Sequence, residues 1–397
     1  MKNKKVNLND ICFFQEGPGV RKHQYCTKGV KLINVSNLVN GEIDLSNSNR
    51  YISQEEAYGR YKHFLIDEGD LIIASSGIKV EYLDKKVAFI KKENLPLCMN
   101  TSTIRFKVKN KNELDILYLS YFLKSKNFKN QISKLITGSA QLNFGGSHLK
   151  KINLFLPELN VQKKVSTLLL LIDNTIKNMQ RKISILEQLT KSLFTRMFGT
   201  PEYNEKGWNF ISLKDISYTK GEYGSNKPAI NYNGGYRYIR ITDINATGEL
   251  KTEKVGVSDE EIEAQKYALK ENDILFARSG ATVGKNFLYN KKYGKCIFAG
   301  YLIRFKLNPH LISTKYLKIY LDTNYYWNWV KNCQNIVAQP NINAKQYGED
   351  LKIMLPPIEL QNKFAERIEK IEKLKFTIWK IISKVYKTSK KKGVESN

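Results

Sequence analysis

Along the chain, short apolar runs with turn residues between them give way to longer stretches of helical spacing, and this order occurs twice. Val30 to Val35, Asp70 to Ala74 and Val87 to Ile90 have the length and β-branched content of strands. So do Tyr238 to Ile241, Ile274 to Ala277 and Ile297 to Phe305. A helical stretch follows each set, Glu113 to Lys134 and Ser313 to Lys331. A turn and a last short strand then lead to Pro157 or Pro356-Pro357. Each proline opens a long helix, where its missing N–H costs nothing.

The matches extend to individual residues. Gly69-Asp70-Leu71-Ile72-Ile73-Ala74-Ser75-Ser76-Gly77 parallels Asn272-Asp273-Ile274-Leu275-Phe276-Ala277-Arg278-Ser279-Gly280. Leu32 to Leu38 parallels Tyr238 to Ile244, and Tyr118-Leu119 parallels Tyr316-Leu317. Ala140-Gln141-Leu142-Asn143-Phe144 parallels Ala338-Gln339-Pro340-Asn341-Ile342, and Leu156-Pro157 with Gln162 parallels Leu355-Pro356 with Gln361. The order is kept and the separation stays between 198 and 206 positions. The chain is therefore a tandem duplication of a unit of roughly 200 residues, too long a period for a solenoid. The expected class is α+β, with two homologous globular domains, 1–157 and 199–355, each followed by a long helix, 158–198 and 356–392, and a short tail, 393–397.

Both helices carry a narrow apolar seam. In the first it runs Val161, Val165, Leu168, Ile172, Ile176, Met179, Ile183, Leu186, Thr190, Leu193, Met197. Steps alternate 4 and 3 except for one 4–4 step at Ile172–Ile176, a local phase shift. In the second it runs Phe364, Ile368, Ile371, Leu374, Ile378, Ile382, Val385. Two such seams in one chain predict an antiparallel coiled-coil pair. Leu169, Leu170, Leu171, Ile185 and Leu189 make the first helix wider than two strands require, which calls for covering partners.

Charge narrows the functional classes. Lys and Arg number 65 against 38 Asp and Glu, a net charge of +27. The excess divides as +11 over 1–157, +4 over 158–198, +6 over 199–355 and +6 over 356–397. Neither domain is acidic, so the expected partner is a polyanion, nucleic acid before membrane. The longest apolar run, Leu168 to Ile172, is far too short to span a bilayer, and no apolar stretch follows the basic N-terminus as a secretory signal requires. Five cysteines without a Cys-x-x-Cys pair point to a reduced cytoplasmic protein with neither disulfide frame nor structural zinc.

Catalytic constellations are missing. Gly280-Ala281-Thr282-Val283-Gly284-Lys285 is one residue short of a phosphate loop and lacks the hydroxyl residue after the lysine, so it reads as a loop with a basic tip. His23, His63, His148 and His310 show no ligand spacing. There is no nucleophile elbow, no dinucleotide fingerprint, no Asn-Pro-Pro-aromatic or Asp-Pro-Pro-aromatic motif and no nuclease Pro-Asp with Glu-x-Lys. Tyr325, Tyr326, Trp327 and Trp329 stand at helical spacing and are expected to turn two of four rings into the core.

The duplicated order, the Gly-Asp-(hydrophobic)3-Ala-x-Ser-Gly run, the Ala-Gln-x-Asn turn and the Leu-Pro-x4-Gln helix start together resemble the specificity subunits of type I restriction-modification systems, over about residues 8–390. Family members often carry Glu-Gln after the proline, where this chain has Val161-Gln162 and Leu360-Gln361. The resemblance implies two target-recognition domains related by a pseudo-two-fold axis, each reading half of a split, asymmetric site on double-stranded DNA. It implies that the helices fix the gap and dock two methyltransferase (modification) subunits, which bind S-adenosylmethionine and methylate adenine N6. Restriction subunits would add ATP- and Mg-dependent translocation and cleavage. This chain would hold no cofactor and catalyse nothing. A helix of about 40 residues is about 60 Å long, enough to hold readers one turn of DNA, about 34 Å, apart.

Side-chain chemistry then suggests the readers, since Arg and Lys suit guanine and Asn and Gln suit adenine. In the first domain these are Arg21, Lys22, His23, Lys31, Asn34, Ser36, Ser75, Ser76 and Lys79; in the second, Tyr223, Ser225, Asn226, Lys227, Arg240, Thr242, Arg278, Ser279 and Lys285. Arg240 against Asn34 and Arg278 against Ser75 fall at equivalent repeat positions, where different bases would be read. Gln141, Asn143, Gln339 and Asn341 are shared and suit a turn or a partner contact. Two other classes fit the same features: a stand-alone two-domain DNA-binding protein, and an interaction scaffold with helices for oligomerisation.

Overall fold

The computed structural model describes residues 4–47, 49–136, 142–245, 248–258, 261–334 and 341–392. The chain divides into two compact units, Met1–Ile176 and Lys177–Asn397, so the first long helix is shared between them.

The first unit contains β1 (Lys4–Asn7), β2 (Cys12–Glu16), β3 (Val30–Ile33), β4 (Leu71–Ala74), β5 (Val87–Phe89), β6 (Leu97–Met99), β7 (Thr103–Val108), α1 (Ile116–Lys124), α2 (Lys126–Leu135) and β8 (Asn153–Leu156), then α3 (Leu159–Phe198). Its main sheet is antiparallel in the order β2-β7-β4-β5. β6 and β3 pair in parallel, and β1 closes on β8. The second unit has β9 (Phe210–Ser212), β10 (Glu222–Tyr223), β11 (Arg237–Ile239), β12 (Asp273–Ala277), β13 (Asn286–Leu288), β14 (Cys296–Phe298), β15 (Leu302–Lys306), α4 (Thr314–Tyr320), α5 (Asn324–Gln334), β16 (Lys352–Met354) and α6 (Ile358–Lys392). Its main sheet runs β10-β15-β12-β13, β11 and β14 are parallel, and β9 closes on β16. The order of the main sheet, the parallel pair and the closing pair are the same in both units.

The central strand of each sheet is buried on both faces, which is why it reads as an uninterrupted apolar run. Period-two alternation sends Leu71 and Ile73 toward Leu119, Leu123 and Phe128, while Ile72 packs with Ile33, Ala88 and Met99. Ile274 and Phe276 likewise join Tyr316, Tyr320 and Tyr326, while Leu275 and Ala277 pack with Ile239 and Phe298.

The aspartate of the repeated Gly-Asp or Asn-Asp run is structural. Asp70 Oδ2 accepts from Arg105 Nη1 at 3.1 Å, and both side chains are buried. Asp273 lies 3.7 Å from Arg304 Nη1, equally buried. Each arginine also donates to backbone carbonyls, Leu65 and His63 in one case, Ala268 and Lys266 in the other. A buried guanidinium needs these extra acceptors.

The helix seams differ from expectation in register. Val165, Leu168 and Leu374 are 41%, 59% and 51% exposed. In α3 the inward positions run Gln162, Ser166, Leu169, Ile172, Ile176, Met179, Ile183, Leu186, Thr190, so a 3–3 step at Ser166–Leu169–Ile172 stands where a 4–4 step was expected. In α6 they run Gln361, Phe364, Ile368, Ile371, Lys375, Ile378, Ile382, Val385. Val165 and Leu374 give way to their neighbours Ser166 and Lys375, whose polar groups are hydrogen-bonded, and Leu168 gives way to Leu169.

Gln162 and Gln361 are fully buried and do identical work. Gln162 Oε1 accepts from Asp115 N at 2.9 Å, and its Nε2 donates to the carbonyls of Glu113 and Pro157. Gln361 Oε1 accepts from Ser313 N at 2.9 Å, and its Nε2 donates to those of Leu311 and Pro356. Asp115 and Ser313 are the N-caps of α1 and α4. Each long helix is thus clasped at its first turns to the start of its domain's first substantial helix. Ser166 adds a bond to Asp115 Oδ1 at 3.2 Å.

Within the second unit the two long helices run antiparallel. Lys375 Nζ meets Glu187 Oε1 at 2.9 Å, and Arg367 Nη1 meets Met197 Sδ at 3.7 Å, so positions rise along one helix as they fall along the other. Phe194 and Phe198 pack on Phe364 and Tyr316 at centroid distances of 4.7 to 5.9 Å, fixing the helix pair to the domain core.

Candidate nucleic-acid interface

The surface that could meet a polyanion is made by loops at the ends of the main-sheet strands and by the turns around the parallel pair. The expected readers divide into free and engaged groups.

In the first domain Arg21, Lys22 and His23 form an exposed turn, held by Gln24 Oε1 accepting from Arg21 N at 2.9 Å. Ser36 and Lys79 are exposed, and Ser76 is half-buried. Lys31 is occupied: its Nζ donates to the Leu45 carbonyl at 2.6 Å and lies over the Tyr51 ring. Asn34 is buried, donates Nδ2 to the Leu32 carbonyl and accepts from Asn100 Nδ2 at 2.8 Å. Ser75 is buried beneath the loop, where its carbonyl accepts from Phe144 N. These last three do not present the free edges expected of them: Lys31 and Asn34 are hydrogen-bonded within the domain, and Ser75 is buried.

In the second domain Asn226, Lys227 and Thr242 are exposed; Lys227 Nζ lies 3.3 Å from Glu263. Ser225 is buried and pairs through its backbone with Phe298 and Gly300. Arg240 is engaged in both directions by Asp243: Nε donates to Oδ2 at 3.0 Å and Nη2 to Oδ1 at 2.9 Å. That contact holds the guanidinium even more firmly protonated than usual. Arg240 and Asn34 play the same part, since Asp243 and Asn37 each cap the backbone N–H three residues earlier. Neither is a free reader.

Arg278, Ser279 and Tyr223 converge. The Arg278 guanidinium lies 4.8 Å from the centre of the Tyr223 ring, and its Nε is 3.4 Å from Asn341 Oδ1. Ser279 bridges to Asn341, as Ser76 pairs with Asn143. Asn143 Oδ1 accepts from Gly77 N at 3.1 Å, so the shared asparagines shape this loop. Gln141 and Gln339 lie outside the described residues. The phosphate-loop look-alike is a packed turn: Gly284, at φ +85°, donates its N–H to Ala277 O and Tyr347 Oη, and a Cβ there would strike Val330. Lys285 beyond it is half-buried. Tyr326 is buried and donates to Gly284 O, with Tyr325 and Trp329 half-buried, so this aromatic cluster is core.

Sequence reasoning missed Glu16, at the strand position matching Tyr223. Gln15 and Glu222 each face the buried arginine, and the next residue, Glu16 or Tyr223, reaches across to one backbone N–H, that of Gly146 or Ala344. Dissimilar side chains and a repeat offset of 207, from Glu16 to Tyr223, hid the equivalence. Among the described residues no group of His, Cys, Asp and Glu could hold a metal ion, and no helix is long and apolar enough to cross a membrane.

Comparison with known proteins agrees with this duplicated architecture. The family model for the type I restriction modification DNA specificity domain matches twice, over residues 1–188 and 205–388. The type I restriction enzyme MjaVIII specificity subunit of Methanocaldococcus jannaschii is 26% identical over 209 residues, 52% of this chain and 47% of that one. The StySPI specificity subunit of Salmonella potsdam is 23% identical over 268 residues, 64% of this chain and 58% of that one. The matched stretches thus span about half the length of these curated relatives. The crystal structure of the S subunit of a type I restriction-modification system from M. genitalium shares the fold, with a TM-score of 0.60, 16% identity and coverage of 97% of this chain and 93% of that one. With both halves matched in order and the fold shared over nearly its whole length, the chain belongs to the type I restriction-modification specificity family and carries two of its DNA specificity domains.

Proposed function

We propose that this chain is the sequence-recognition subunit of a type I restriction-modification complex in the cytoplasm and is not itself catalytic. Each domain reads one half of an asymmetric, bipartite site on double-stranded DNA. The helices set the gap and dock two methyltransferase subunits, which bring S-adenosylmethionine and methylate adenine N6; restriction subunits add ATP-driven cleavage.

The observation that carries this reading is the duplication of the main-sheet topology with divergence at matched positions near the strand ends. Two copies of one scaffold present different side chains at matched positions, Ser75 against Arg278 and Glu16 against Tyr223. A duplicated scaffold with unequal side chains at matched positions suits two unequal half-sites. The docking role is supported by Leu168, Leu171, Ile185 and Leu189 on α3 and Leu374, Phe376 and Trp379 on α6. All of them are exposed on helices whose seam is already satisfied.

The test is co-expression with the methyltransferase subunits followed by binding assays. The expected result is a stable complex that prefers one gapped duplex over random DNA by about 10³-fold or more at physiological salt. Equal affinity for random DNA would overturn the assignment, and specific binding by the isolated chain would favour a stand-alone DNA-binding protein.

A further inference from the structure

Four arginines lie between residues 199 and 355, and three are consumed by the fold. Arg237 is buried and donates Nη2 to the carbonyls of Lys251 and Glu253. Arg240 is closed in both directions by Asp243. Arg304 is buried against Asp273 and Glu222. Arg278 alone differs. Its terminal nitrogens meet no acceptor among the described residues, yet its plane is fixed. The Tyr223 ring supports one face at 4.8 Å, and Asn341 Oδ1 takes Nε at 3.4 Å. The ring is itself pinned, because Tyr223 Oη accepts from Ala344 N at 3.1 Å. The Arg278 backbone is tied on both sides, its N–H to Tyr301 O and its carbonyl to Ile342 N.

A planar fork of donors, oriented in advance and left without a partner, matches the paired O6 and N7 acceptors that guanine alone presents in the major groove. A lysine or a loose arginine would serve a phosphate; the stacking ring and the asparagine add the orientation that a bidentate contact to a base edge uses. The equivalent place in the first domain holds no guanidinium. Ser75 is buried there, and Glu16 spends its carboxylate on the Gly146 N–H.

We propose that Arg278 is the guanine-reading side chain of the second domain, with Tyr223 and Asn341 as its positioning residues. This rests on the proposed function above and assigns one base of one half-site to one residue.

The test uses the complex with its methyltransferase subunits, assayed on duplexes carrying its motif and every single-base variant of it. Arg278→Ala is expected to erase discrimination at one guanine position, by about 5- to 150-fold, and to leave every other position as it was. Arg278→Lys keeps the charge and loses the fork, so it relaxes the same guanine while preserving more overall affinity. Tyr223→Ala relaxes that position too, and adds little to Arg278→Ala in the double variant. Unchanged base preferences in Arg278→Ala, with or without a uniform loss of rate, would reduce Arg278 to a phosphate contact and overturn the proposal. Should Arg278→Ala methylate nothing, the same criterion is applied to Arg278→Lys, with competition binding as the readout if that too is silent. A wild-type complex that recognises no gapped motif would instead sink the proposed function, a separate outcome.

Discussion

Gln361→Leu removes a clasp without creating a cavity, because leucine nearly matches the volume of glutamine. The structure gives Gln361 three bonds: Ser313 N to Oε1 at 2.9 Å, and Nε2 to Leu311 O at 3.2 Å and to Pro356 O at 2.7 Å. A made bond is worth about 1 kcal/mol net, and a buried group left without a partner costs about 1–3 kcal/mol. The Pro356 carbonyl is buried with the clasp, whereas Leu311 lies at an exposed edge where water replaces the lost donor. The loss should therefore be about 3–4 kcal/mol, large for a single substitution. Gln162→Leu should cost the first unit a similar amount. The assay is urea unfolding followed by hydrogen exchange, which separates the units: amides of α4 and β16 lose protection in Gln361→Leu, and those of α1 and β8 in Gln162→Leu. A loss below 1 kcal/mol, or equal loosening of both units by either substitution, would refute the clasp.

Other consequences are as direct. Glu187→Lys and Lys375→Glu should each destabilise the helix pair by at most about 1 kcal/mol, and the double exchange should recover most of it, since the pair is partly exposed; no recovery in a double-mutant cycle would contradict the antiparallel register. Burial pushes the thiols of Cys12 and Cys98 up to about 12 and that of Cys296 up to about 11. They stay protonated at pH 8, so thiol labelling read by mass spectrometry should modify half-buried Cys26 first and these three last; rapid labelling of Cys98 in the native protein would be inconsistent with its burial. Duplex affinity of the complex should fall by about three to five decades between 50 and 200 mM salt for about six to ten phosphate contacts, measured by fluorescence anisotropy; a flat response would mean that the positive charge does not face DNA.

The duplication was legible because topology and motif order repeat together. Strand positions such as Leu71 to Ala74 were legible because a central strand is apolar on both faces. The helix register was misread for a physical reason. Hydrophobic spacing cannot detect a polar side chain turned inward to make hydrogen bonds, so Val161, Val165 and Leu374 took the places of Gln162, Ser166 and Lys375. Among the candidate readers, Arg240 carried its own warning, because an aspartate three residues on is a natural partner. Asn34 and Asn37 show the same spacing. Arg278 and its stacking partner Tyr223 stand 55 positions apart, and only the sheet brings them together.

The most direct measurement is methylome sequencing of the source organism with and without this gene. The expected result is loss of N6-methyladenine at one asymmetric, gapped motif and nowhere else, with restoration by the wild-type gene. A methylation map that is unchanged while the methyltransferase subunits are expressed would contradict it.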